Sequence, residues 1–280
     1  MKKITIDPIT SQQILNEYNA GLSSIFLGKK YKVSPLIIIR TVKEMGTKIR
    51  TNKENKTKYT FNHNFFKVID TSEKAYFLGF ILADGHVGEK EVIIHIHNKD
   101  KHIIEHFVQC IGGNNTIHEP TNKSCFNNIK RQVVCARINL RSDKMIEDLN
   151  NLGITRRKTH NVVVPEIRED LQRHFWRGVF DGDGYVSLIS PKIKHYEYKT
   201  IETGLCGHIN TVTAFVEFLN RNGVTTSKIF PDHSIFSVRA NGCNNVMKLY
   251  NLLYADIDPK LCLTRKREKF EIHKAYKERA

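Results

Sequence analysis

The chain of 280 residues contains no apolar stretch long enough to cross a bilayer, and no signal peptide is visible at its start. The sequence therefore predicts an intracellular protein, in the cytoplasm of a bacterial or phage-infected cell or in an organelle. Its six cysteines, Cys110, Cys125, Cys135, Cys206, Cys243 and Cys262, form no C-x-x-C pair and have no histidines at matching spacing. That argues against a zinc site and for reduced, mostly buried thiols. Acidic residues are scarce: 29 Asp and Glu stand against 44 Lys and Arg, a net charge of +15. Such an excess suits a polyanionic partner. It is uneven, since residues 1–70 carry 13 basic and 5 acidic side chains. The apolar fraction of 40% supports a sizeable core, and the length predicts two domains.

Two stretches nearly repeat one another. Ala75 to Gly85 reads AYFLGFILADG, and Phe175 to Gly184 reads FWRGVFDGDG. Each is a short apolar run with an internal glycine (Gly79, Gly178), followed five residues later by an aspartate (Asp84, Asp183) and then a glycine. The aspartates are 99 residues apart, which predicts two copies of one structural unit. The runs read as buried helices, the first capped by Thr71 or Ser72 and both stopped by glycines, Gly85 and Gly184, in the left-handed conformation. A glycine inside a helix costs about 1 kcal/mol against alanine. Close approach of another backbone would offset that cost, so Gly79 and Gly178 are predicted to form a helix–helix interface. The two helix ends then meet, and Asp84 and Asp183 become neighbours. Two carboxylates at the negative ends of two helix dipoles repel one another unless a cation lies between them. Carboxylates with backbone oxygens beside them, here at Ala83 and Gly182, make a hard-oxygen site suited to Mg²⁺ or another divalent cation. Such a site serves phosphodiester hydrolysis.

The paired motif resembles that of the LAGLIDADG homing endonucleases in their two-motif, single-chain form. Phe77 to Gly85 agrees with the nine-letter pattern at Gly79, Ile81, Ala83, Asp84 and Gly85. Trp176 to Gly184 agrees at Gly178, Asp181, Asp183 and Gly184, with Leu82 replacing the sixth-position aspartate in the first copy. The resemblance covers about residues 65–275. It implies an α+β fold, a pseudo-twofold duplicated αββαββα nuclease domain whose saddle-shaped sheets lie on double-stranded DNA. It further implies a monomer in which Asp84 and Asp183 bind metal and cut, and a late lysine of each repeat, best matched by Lys158 and Lys266, reaches toward the scissile phosphate. The implied activity is a metal-dependent, staggered double-strand break at a long recognition site. The rival is a catalytically inactive DNA- or RNA-binding protein on the same fold, a transcription regulator or intron maturase. Met1 and the ending at Ala280 lack the residues of a splicing element, so a free-standing or intron-encoded enzyme is expected.

Before that domain, residues 1–46 read as three short helices of a helix-turn-helix DNA-binding domain. Gly21 ends the first helix, Ser23–Tyr31 make the second, and Ser34 caps a third with Pro35 at its first position. The third helix would enter the major groove with Arg40 and Lys43. Residues 47–64, with Lys48, Arg50, Lys53, Lys56 and Lys58, read as a basic linker. The nuclease domain is expected at 65–280, its repeats meeting near residue 164. Within it, 91–97 and 133–141 read as strands. The first presents His95 and His97 on one face; the second points Val134, Ala136, Ile138 and Leu140 inward and Cys135, Arg137, Asn139 and Arg141 outward. Arg239 and Asn241 stand on a later strand, and Arg137-x-Asn139 and Arg239-x-Asn241 correspond at an offset of 102, close to the 99 of the aspartates, so the repeat is expected to extend well beyond the motifs. Arginine and asparagine on an open strand face suit phosphates and base edges.

Overall fold

The chain divides into two units, Met1–Thr60 and Phe61–Ala280. The structure, a computed structural model, describes residues 6–19, 22–49, 59–126, 129–156, 162–190, 192–193, 196–197 and 200–279. Gly21, the linker lysines at 53, 56 and 58, Arg50 and Lys158 lie outside the described residues.

In the first unit, α1 (Pro8–Asn19) begins one residue after Asp7, whose carboxylate accepts the Thr10 N–H at 2.9 Å. The Ser23 hydroxyl caps α2 (Ser24–Lys30) by accepting the Phe26 N–H. A short turn carrying Lys32 at φ 54° leads to α3 (Pro35–Glu44), which opens on proline. Ile14, Tyr18, Leu27, Ile38 and Val42 form its core. Gly28 is dictated by the turn: a Cβ there would lie 2.8 Å from the Val33 carbonyl oxygen. The outward stripe of α3 carries Leu36, Arg40 and Lys43 at i, i+4 and i+7, with Leu36 75% exposed.

The second unit starts earlier than residue 65. Phe61 packs on its core, Phe65 and Phe66 are buried, and the Asn62 N–H donates to Ile111 O. Phe61, packed beside Phe65 and Phe66, anchors what the lysine-rich composition made look like the last part of a linker. Helix α4 (Ser72–Asp84) follows, capped by Thr71, with every residue from Ala75 to Leu82 buried. It passes directly into β1 (Gly85–Val87), then β2 (Val92–His97), α5 (Lys101–Cys110), the hairpin β3 (Thr121–Phe126) and β4 (Ile129–Leu140), and α6 (Asp143–Asn151). The second half repeats the plan with α7 (Glu169–Asp183), β5 (Gly184–Ile189), β6 (Thr200–Gly207), α8 (Ile209–Arg221), β7 (Phe230–Asp232), β8 (Ile235–Ala240), α9 (Cys243–Tyr254) and a closing α10 (Thr264–Arg279). Each half holds one antiparallel four-stranded sheet, ordered β1-β2-β4-β3 and β5-β6-β8-β7. The α+β fold expected from the duplicated motif is the fold observed.

Two local expectations are corrected. Gly85 and Gly184 end their helices with φ of −78° and −79°, in extended and not left-handed backbone. Glycine is needed for space: a Cβ would meet Ile81 Cα at 2.7 Å and Phe180 O at 2.5 Å respectively. On β4, Ala136, Ile138 and Leu140 are buried, but Val134 is 41% exposed, because the strand there runs out past the core with β3 as its neighbour.

Candidate functional site

The two motif helices touch through their glycines. A Cβ on Gly79 would stand 2.0 Å from Phe175 O, and one on Gly178 2.0 Å from Tyr76 O. Backbone therefore lies directly on backbone. At the C-terminal end the approach continues: a Cβ on Gly182 would fall 2.3 Å from Ala83 Cβ and 3.4 Å from both the Asp84 carboxyl carbon and the Asp84 nitrogen. Asp84 and Asp183 are exposed at the two helix ends, each immediately before the first strand of its sheet. Gly207 on β6 is close by, its would-be Cβ 3.8 Å from an Asp183 carboxylate oxygen. The oxygens gathered at this junction are carboxylates, from Asp84 and Asp183, and main-chain carbonyls beside them. That set fits a hard divalent cation. Among the described residues no cluster of three or more His, Cys, Asp or Glu offers an alternative metal cage.

Lys266, in the first turn of α10, is buried under this site. Its ammonium donates to Phe180 O (2.8 Å), Asp181 O (2.6 Å) and Gly184 O, and lies 3.4 Å from Gly182 O. All but Gly184 O, which opens β5, are terminal carbonyls of α7, and a cation is the group that a helix C-terminus favours. Burial pulls the Lys266 pKa down to about 8, against the raising influence of Asp181, Asp84 and Asp183. The direct reach toward phosphate expected of Lys266 is thus corrected: its ammonium faces inward onto carbonyls, and its charge reaches the carboxylates across the helix end.

A buried polar network, which reading the motif alone does not reveal, surrounds it. Asp181 is fully buried and accepts from Tyr76 OH (2.8 Å), Tyr254 OH (2.6 Å) and the Leu263 N–H (2.9 Å). Burial pushes its carboxyl pKa upward, opposed by Lys266 and these hydrogen bonds. One turn earlier, Arg177 is 0% exposed, donating to Leu261 O and Leu253 O, meeting His174 Nδ1 at 3.1 Å and lying over the Tyr76 ring. Burial and the neighbouring Arg177 and Arg173 hold His174 down at about 4. Arg177 and Asp181 correspond, at the offset of 99, to Leu78 and Leu82. The second motif helix therefore clamps the 253–263 connection with polar bonds at positions where the first uses leucine. The available signal was an Arg/Asp pair at i, i+4 inside an apolar helix. Replacing Asp181 with leucine is expected to cost about 3 kcal/mol or more, since three buried donors lose their acceptor. Tyr254→Phe should cost about 1 kcal/mol. Urea titration followed by tryptophan fluorescence tests both, and a near-neutral Asp181→Leu would show that the network contributes no net stability.

Comparison with solved structures places this architecture. The LAGLIDADG meganuclease I-AabMI, bound to uncleaved DNA, superposes with a TM-score of 0.51 at 12% identity over 75% of this chain and 92% of its own. The chain has the LAGLIDADG fold. The meganuclease I-SmaMI bound to DNA (TM-score 0.48, 14% identity, 73% of this chain and 91% of that one) and the N-terminal LAGLIDADG domain of DUF199/WhiA (0.43, 13%, 71% and 90%) are also similar. No family model and no curated protein matches the sequence.

Strand register now aligns the two halves of the LAGLIDADG fold residue by residue. Gly85 pairs with Ile94 and Ile94 with Ile138; Gly184 pairs with Leu205 and Leu205 with Val238. The offset is 99 at the motif, 111 on the second strand and 100 on the third. Arg137 thus corresponds to Ser237, Asn139 to Arg239 and Arg141 to Asn241. The apparent Arg-x-Asn repeat at offset 102 is two residues out of register, and Asn241 lies beyond the end of β8. On the face of the first sheet opposite the core stand His86, His95, Arg137 and Asn139, with Arg141 just past the end of β4; Arg239 stands on the matching face of the second. His95 Nε2 lies 3.3 Å from Asn122 Nδ2. His97 has a local role, accepting the Lys99 N–H at 3.0 Å, and its offset-111 counterpart His208 accepts the Asn210 N–H in the same way. Arg40, in the first unit, lies 3.7 Å from Glu44, and Lys43 is exposed.

Proposed function

We propose that this chain is a site-specific, metal-dependent endonuclease that makes a staggered double-strand break in duplex DNA. The observation that carries the proposal is that Asp84 and Asp183 stand at the touching ends of α4 and α7, where each helix enters one of two like sheets. Asp84 and Asp183, with carbonyl oxygens at Ala83 and Gly182, would hold a divalent cation such as Mg²⁺. When bound, that ion lowers the pKa of a water and neutralises charge on the phosphodiester. The protein supplies position. The Gly79–Gly178 contact sets the separation of the carboxylates, and Lys266 fixes the last carbonyls of α7 so that Asp183 leaves the helix in one direction. The open sheet faces offer Arg137, Arg141, Arg239 and His95 to phosphates and base edges. Two carboxylates on a pseudo-twofold axis suit one cut on each strand. The like-folded meganuclease I-AabMI, bound to DNA, is in keeping with this partner. A nicking assay on a selected target, with Mg²⁺ against EDTA, tests the reading. Binding without any Mg²⁺-dependent cut would place the chain with non-catalytic DNA-binding proteins of this fold.

The first unit is proposed to add a second set of base contacts. Its α3 stripe begins with the exposed Leu36, able to meet a thymine methyl, and continues with Arg40 and Lys43. Leu36→Ala in the full chain is expected to relax base preference at one end of the selected site, while Lys43→Ala weakens binding to all sequences and lowers the salt slope by about 1. Site selection from a random duplex library checks this, and an unchanged site for Leu36→Ala would rule out sequence reading through that side chain.

A further inference from the structure

We infer that Glu91 and Glu202 are a duplicated pair of positioning residues that set sequence discrimination on the two sheet faces, an inference that rests on the DNA-cutting role proposed above. Neither belongs to the motif, and a carboxylate on a surface meant for a polyanion needs a reason. The two are equivalent: they share the offset of 111 that relates Ile94 to Leu205 and His97 to His208. Both lie three residues from the strand position paired with a motif glycine, about 10 Å along the sheet. An acidic side chain thus stands at the same place in each half, although the residues around it differ.

Both glutamates end on an arginine Nε. In the second half the contact is direct: Glu202 Oε1 lies 3.1 Å from Arg239 Nε, and the guanidinium rests over the Phe230 ring at 5.2 Å. Tyr185 OH donates to the same carboxylate at 3.3 Å; burial and that negative charge push its pKa up to about 12. In the first half the contact runs through one residue. Glu91 Oε2 accepts from Asn139 Nδ2 at 3.0 Å, and Asn139 Oδ1 accepts from Arg137 Nε at 2.9 Å. Arg141 lies 3.7 Å from the same carboxylate. The terminal nitrogens of an arginine are the ones that read guanine O6 and N7. A long basic side chain on its own takes whichever phosphate is nearest, which carries no sequence information. Holding it by Nε fixes the direction of the terminal fork before DNA arrives, and preorganisation of that kind converts contact into discrimination.

The test uses the full chain and a random duplex DNA library, comparing wild type with Glu91→Ala and Glu202→Ala. The expected result is a loss of base preference, at least about fivefold at the affected positions, confined to one half of the site for Glu91→Ala and to the other half for Glu202→Ala. Affinity for mixed-sequence duplex should stay level or rise, since a negative charge has been removed. Unchanged preferences in both variants would overturn the inference and leave the nuclease reading standing. A fall in affinity for mixed-sequence duplex in step with lost preference would also overturn it, by showing the carboxylates to be merely structural. If the wild-type chain selects no sequence at all, the nuclease reading fails and this one fails with it.

Discussion

Asp84→Asn and Asp183→Asn, made singly, are each expected to lower double-strand cleavage by about 10³-fold or more, the scale of removing one preorganised charge-stabilising group. DNA binding should be retained. Both carboxylates are exposed at the helix ends, so neither substitution removes core packing. The change is isosteric and takes away one negative charge from a place where two face the negative ends of two helix dipoles. Relief of that repulsion is set against loss of the attraction to the buried Lys266 cation, so the free protein should stay within about 1 kcal/mol of wild type, a readout that separates lost chemistry from lost fold. Supercoiled plasmid carrying the selected site resolves nicked from linear product. Unchanged cleavage by both variants would sink the assignment of these carboxylates.

The second large effect is expected at Gly178. Its alanine variant places a Cβ 2.0 Å from Tyr76 O and 2.8 Å from Phe80 N, both backbone atoms of a helix buried on all sides. No side chain can turn aside to make room. The helices must separate by more than about 1 Å, which strips contact from the most buried part of the core. A cost of about 3 kcal/mol or more follows, at the upper end for an overpacked site. Gly79→Ala meets Phe175 O at the same distance and should behave alike. Where the variant still folds, cleavage should fall further than stability alone explains, because the same displacement separates Asp84 from Gly182 and Asp183. Urea midpoints beside single-turnover cleavage on the folded fraction provide the check. A Gly178→Ala protein within about 1 kcal/mol of wild type would mean that the contact is looser than the backbone geometry shows.

Much of this organisation can be read in the sequence, for a physical reason. A glycine in the middle of an apolar helix and an aspartate at its end are both locally unfavourable, and their recurrence at one spacing marks a shared cause. Strand faces on β2 and β4 are also legible, since alternation is a strong signal where one side is covered. Other features are not. The closing helix α10 is Lys-, Arg- and Glu-rich, with only a few buried positions such as Phe270 and His273, so its first turn reads as a basic cluster and the rest as nothing in particular. Lys266 looks like a surface cation until the α7 carbonyls that surround it are in view. The roles of Arg177 and Asp181 depend on residues 73 to 105 positions away, which no local pattern encodes. The Arg-x-Asn match shows the opposite hazard: two strings can agree by chance where the loops between them differ in length.

Those loop lengths have a consequence for how the molecule would meet its substrate. The second strand is displaced by 111 and its flanking elements by 99 and 100, so the later half carries 12 additional residues between its first two sheet strands. The earlier half carries 11 more between its second and third, where the β3–β4 hairpin extends. The halves agree at the axis and diverge toward the periphery, each lengthened on a different arm. On the proposed reading, an inverted-repeat target would be a poor match. The preferred site should have a distinct left and right, and the protein should settle on it in one orientation only.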